Sequence, residues 1–138
     1  MDQRIIQFLT NHRISVLSVT LPDGSIHSAA CHYAHRDNPL EIIIYTESTT
    51  KKCLGLQDGN VAQASLVVGF SEEEWVSLQM SGTVKMLKPG TEADNLKPFY
   101  EEKFKSKVNF DPQDVFIVFT PKWWRYSEYK NKVFLENK

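Results

Sequence analysis

Between residues 75 and 87 apolar and polar side chains alternate with a period of two. Val76, Leu78, Met80, Val84 and Met86 fall on one side, and Ser77, Gln79, Ser81, Thr83 and Lys85 on the other. Successive side chains of a strand point to opposite faces, so this pattern predicts a long strand with one face in a core and one in solvent. Similar runs surround it. Residues 14–21 and 26–35 flank the turn Pro22-Asp23-Gly24-Ser25, which is a hairpin signal. Residues 40–46 (LEIIIYT) contain three consecutive isoleucines and read as a strand buried on both faces. Residues 61–70 precede the 71–74 loop as a further strand, and 115–120 and 123–130 read as two more, joined through Pro121.

Three segments read as short helices. Asp2 caps the first, with Ile5, Ile6 and Leu9 on one face. Residues 49–57 form the second, with Leu54 and Leu56 as anchors and Asp58-Gly59-Asn60 as the stop. Residues 91–105 form the third, with capping-box spacing at Thr91 and Asp94. Its apolar stripe is Leu96, Phe99, Tyr100 and Phe104, and Pro98 interrupts it. The total is mainly β with short helices: about six to seven mostly antiparallel strands. Short connections between them favour a small closed or partly closed barrel.

At 138 residues the chain fits a single domain spanning 1–138. Sixteen basic against seventeen acidic residues leave a formal charge of −1, which argues against a general nucleic-acid binder. No apolar run approaches the roughly 18 residues of a membrane span. The start, MDQRIIQFLTNHR, does not read as a secretory signal. Two cysteines, Cys31 and Cys53, make no disulfide framework and read as buried apolar residues, so a cytoplasmic location is expected.

The segment Tyr45-Thr46-Glu47-Ser48-Thr49-Thr50-Lys51-Lys52 runs from the end of a buried strand into the start of a helix. A helix amino terminus presents unpaired N–H groups and a partial positive charge. Three hydroxyl residues add donors and two lysines add full charges, so the segment can cradle a phosphate. A capped helix with two solvated lysines is the plainer alternative. The Cys31-His32-Tyr33-Ala34-His35 stretch is a poor metal site, because adjacent strand residues point to opposite faces. No metal site and no catalytic residue can be named from spacing alone.

Tyr45-Thr46, three variable residues, then Thr50-Lys51-Lys52 and Leu56 resemble the flavin-phosphate motif of the pyridoxamine 5′-phosphate oxidase-like family of FMN-binding split barrels. The order of the other elements agrees over nearly the whole chain. The resemblance implies a homodimeric split barrel with FMN sites at the dimer interface. Thr50, Lys51 and Lys52 would bind the FMN phosphate, with Lys51 standing where the family often has Arg. Tyr45 and Thr46 would lie against the ribityl chain or ring. The strand around Ala29 to His32 would run beside the isoalloxazine, lacking the Arg and Lys of stricter members. A cofactor-contacting Gln of the family falls at Ser77, with Gln79 on the same face. Vitamin B6 oxidation is not expected, because the Arg-x-His substrate motif is missing. The expected function is FMN-dependent oxidation or reduction of a small molecule, with an electron donor as the other partner. The alternative is a non-catalytic or stress-response module that holds flavin, deazaflavin or haem, with His32 as a candidate haem ligand. Trp123, Trp124 and Tyr126 serve either the dimer surface or the barrel's own core.

Overall fold

The structure, a computed structural model, describes residues 1–137. Helix α1 (Gln3–Asn11) opens the chain, with the Asp2 carboxylate accepting the Arg4 N–H at 2.8 Å. It buries Ile5, Phe8 and Leu9; Ile6 is only half-buried. Strands β1 (Ile14–Thr20), β2 (Ile26–His32), β3 (Ala34–Asp37), β4 (Leu40–Glu47), β5 (Ala62–Val68), β6 (Val76–Leu87), β7 (Asp114–Glu128) and β8 (Val133–Glu136) form one sheet. Every pairing is antiparallel. The order is β2-β1-β5-β6-β7-β4-β3, with β8 alongside β7. Helix α2 (Thr91–Phe104) lies between β6 and β7 in the chain and packs on β3.

The curled sheet encloses one core, which holds Leu17, Ile42, Ile44, Leu66, Leu78, Met80 and Phe119. A second core lies outside the sheet, where Ile43, Phe116 and Val118 meet Leu96 of α2 and Val108. The three isoleucines therefore serve both cores, as expected of a strand covered on both faces. The alternation in β6 holds as well: Leu78, Met80, Val84 and Met86 are buried, while Gln79 and Ser81 are exposed. This is the split-barrel architecture the sequence predicts.

Three boundaries differ from expectation. The run over 26–35 breaks at Tyr33, which is fully buried and donates its hydroxyl to the Leu9 carbonyl at 2.7 Å. It thereby turns β2, at one edge of the sheet order, into β3 at the other. The runs over 115–120 and 123–130 are one strand: Pro121 pairs with Gly82, and a bulge that leaves Lys122 unpaired opposite Ser81 and Gly82 carries the strand past it. Helix α2 starts at Thr91 with Gly90 as its cap, so the Thr91–Asp94 capping box does not form, and Pro98 sits inside an unbroken helix. Strand β8 has no counterpart in the sequence reading.

Candidate cofactor-binding site

Strands β2 and β4 approach each other without forming a ladder, and the residues after β4 fill the resulting seam. The Ser48 N–H donates to the Gln113 carbonyl at 2.7 Å, which ties the turn to the start of β7. The Thr50 hydroxyl donates to the Glu47 carbonyl at 2.8 Å. The following segment, Lys51–Gly59, is 3₁₀ rather than α, and its backbone leaves helical geometry at Gln57 and Asp58. Cys53 and Leu56 pin it to the core, whereas Leu54 is 53% exposed and anchors nothing. A short 3₁₀ turn carries a weak dipole, and Thr50 makes no side-chain cap. Full charge is therefore what this segment offers an anion.

Lys51 is exposed and Lys52 half-buried, and neither forms an ion pair among the described residues. Lys51 faces the β1–β2 turn. There Asp23 is held below its usual carboxylate range mainly by the Ser25 hydroxyl and amide, with Lys51 adding to the effect. Lys52 lies near Cys31 of β2 and Cys53. Burial pushes both thiols up, and the Lys52 charge opposes that push. These thiols are poor nucleophiles as a result.

Aromatic rings floor the seam. Tyr45 lies 5.7 Å from Tyr100, Tyr100 lies 4.6 Å from Phe104, and Phe104 meets His32 edge-on at 5.5 Å. The Arg13 guanidinium sits 4.9 Å from the Phe104 ring centre. Tyr45 and His32, far apart in sequence, are thus linked through α2. The Tyr45 hydroxyl donates to Asp114 Oδ2 at 2.7 Å and lies 3.1 Å from the Asn109 carbonyl. Burial and the Asp114 hydrogen bond push this phenol well above its ordinary range. Its hydroxyl is committed to the fold, so only its ring can face a ligand. Thr46 lies on the opposite face of β4 from Tyr45, across from Val115. Arg13 carried no signal in the sequence. Tyr100 and Phe104 did, as members of the apolar stripe of α2.

Ser77 and Gln79 are not brought to this seam. Gln79 lies in a cross-strand row Ala30–Val16–Val67–Gln79 on the outer face of the sheet. Three strand spacings separate Ala30 from Gln79, or about 14 Å. That face also exposes apolar side chains: Ile14 at 46%, Ile26 at 73% and Trp123 at 36%. Of the three carboxy-terminal aromatics, Tyr126 belongs to the barrel core and Trp124 packs against it, so only Trp123 is available to a partner. Among the described residues no cluster of three His, Cys, Asp or Glu could hold a metal ion. Among the described residues no helix is long and apolar enough to cross a membrane.

Solved structures of the same architecture include a Clostridium acetobutylicum protein of the pyridoxinephosphate oxidase family, related to general stress protein 26 of B. subtilis. It aligns with a TM-score of 0.71 at 16% identity over 100% of this chain and 96% of that one. General stress protein 26 of Bacillus anthracis aligns with a TM-score of 0.70 at 19% identity, over 98% and 97%. A pyridoxamine 5′-phosphate oxidase-related, FMN-binding protein of Nostoc punctiforme gives 0.68 at 11% identity, over 98% and 94%. No protein-family model and no curated protein matches the sequence. At these identities the likeness is one of fold: the chain has the split-barrel fold of pyridoxamine 5′-phosphate oxidase-family structures.

Proposed function

We propose that the chain is a homodimeric FMN-binding protein and a flavin-dependent oxidoreductase of small molecules. One observation carries the reading. In a fold shared with an FMN-binding protein, the turn after β4 presents two lysines that form no ion pair among the described residues, Lys51 toward the turn that holds Asp23 and Lys52 alongside β2. Bound flavin would supply the electron-transfer chemistry. The chain's own residues would bind and orient it. Lys52 and Lys51 would neutralise the phosphate, and Thr50 would join them by turning its hydroxyl away from the Glu47 carbonyl. The Tyr45 ring would line the ribityl chain, with β2 from Ala29 to His32 beside the ring system, while Thr46 points to the other face of β4 and stays out of the site. Ser77 and Gln79 enter this site only from a second copy whose β6 lies over the seam. The exposed apolar face around Ile14, Ile26 and Trp123 is suited to such pairing.

The test is an equilibrium titration with FMN and with riboflavin, which lacks the phosphate. FMN is expected to bind roughly tenfold or more tightly than riboflavin, the worth of a charge-assisted phosphate contact. Equal affinities would remove the phosphate cradle. A second reading rests on His32, which is exposed at the end of β2 and whose ring makes no hydrogen bond among the described residues. It suits a haem ligand in a carrier or stress-response module. Haem binding that His32→Ala abolishes would favour it.

A further inference from the structure

A cavity of about 640 Å³ lies where the end of α1, the edge strand β3 and α2 meet, lined by Thr10, His35, Pro98, Phe99, Glu102, Lys103 and Lys105. Small-molecule sites commonly have volumes of about 300–1,000 Å³. The cavity is separate from the seam, toward which α2 turns Tyr100 and Phe104. Part of its wall is apolar, with Pro98 beside a Phe99 that is 40% exposed.

Charge around the cavity is unevenly matched. Glu102 is paired with Lys105 at 2.9 Å, and Asp37 with His35 Nε2 at 3.1 Å. Lys103 has no carboxylate partner among the described residues. Its Nζ donates to the Leu9 carbonyl at 3.0 Å and lies 3.8 Å from the Tyr33 ring centre. A carbonyl and a ring face offer only partial negative charge, and Arg13 adds a like charge nearby. A half-buried ammonium in this state lacks a counter-ion. His35 adds a second deficit. Its side chain is 9% exposed and its buried Nδ1 has no partner. With Nε2–H donating to Asp37, Nδ1 is an acceptor without a donor, a deficit that a carboxylate does not fill, so an anion here is placed by Lys103 and not by His35.

We propose that this cavity is a binding site for a small aromatic carboxylate, whose carboxylate pairs with Lys103 and whose ring packs on Pro98 and Phe99. A neutral aromatic would leave Lys103 unmatched, and a cationic one would crowd a third positive charge against Lys103 and Arg13. The site owes nothing to the flavin reading and stands or falls separately.

The experiment titrates the full chain with benzoate and with benzamide, following amide shifts by NMR. Benzoate is expected to give saturable shifts around the cavity and to bind roughly tenfold more tightly than benzamide. Lys103→Met should bring benzoate down to the benzamide level. That variant also loses the bond to the Leu9 carbonyl and could unfold. Phe99→Ala, at an exposed side chain, is therefore the second variant, expected to weaken benzoate roughly threefold. A third readout is acylation of lysines by acetic anhydride, where benzoate should selectively protect Lys103. The proposal is overturned if benzoate gives no saturable shifts at concentrations on the order of 10 mM. Equal binding of benzamide, unchanged affinity in folded variants, or unprotected Lys103 would each overturn it too.

Discussion

Lys52 stands half-buried beside Cys31 and Cys53 with no carboxylate to match its charge among the described residues. A phosphate would supply that match. Lys52→Ala is predicted to weaken FMN binding by about 1.5–3 kcal/mol, the scale of a hydrogen bond to a charged group. Riboflavin binding should be unaffected, and an unchanged FMN affinity would take Lys52 out of the site. Lys103 makes a prediction of another kind. Burial first, then the Arg13 charge, lowers its pKa from 10.5 to about 8. Between those values the unfolded chain binds more protons than the folded one, so this group makes stability rise with pH. Cys31 and Cys53, pushed up from 9.0 by burial, oppose this trend within the same window, and the raised tyrosines add to them above about 10. Lys103→Met keeps all of these groups, so comparing it with the native chain isolates the lysine. Urea denaturation at pH 8 and pH 10 should show a larger gain for the native chain than for Lys103→Met. Equal gains would contradict the assignment.

Elements with a strong local period were legible in the sequence, and elements set by distant partners were not. The β6 alternation and the LEIIIYT run identify their own environments, because burial on one or two faces writes itself into residue type. The break at Tyr33 is invisible locally: Cys31, Tyr33 and Ala34 all read as strand, and the corner exists because Tyr33 reaches Leu9 across the end of the barrel. Pro121 misleads because β7 continues past it through a bulge at Lys122, which is fixed only by the pairing of Ser81 with Trp123 and of Gly82 with Pro121 across to β6. The same holds for the site. Tyr45, Lys51 and Lys52 form a local motif, whereas Arg13 joins them only through its position over Phe104. Gly82 offers a test at this scale. A Cβ there would run into the Thr120 carbonyl oxygen. Gly82→Ala should therefore cost about 1–3 kcal/mol, the usual range for overpacking. A denaturation midpoint equal to that of the native chain would show that the bulge can shift.

For the molecule as a whole, the sheet closes through Tyr33 at one end and stays open along the β2–β4 seam, and α2 floors that opening with aromatic rings. Ser77 and Gln79 share the outer face with Ala30 but lie about 14 Å of sheet away from β2. The cofactor reading thus requires two copies, with the outer face around Val16 and Val67 between them. Val67 is half-buried in the single chain, so a charge there should disturb pairing more than folding. Val67→Lys is predicted to convert dimer to monomer in sedimentation velocity while leaving the folded spectrum intact. FMN affinity should fall with it, as the partner's contribution is lost. A native chain that sediments as a monomer would refute the dimer and detach Ser77 and Gln79 from the site.

The most direct test of the central claim is the visible absorbance spectrum of the purified protein, before and after addition of FMN and desalting. The account predicts paired flavin bands near roughly 370 and 450 nm that stay with the protein. A protein that remains colourless after FMN is added and removed would contradict it.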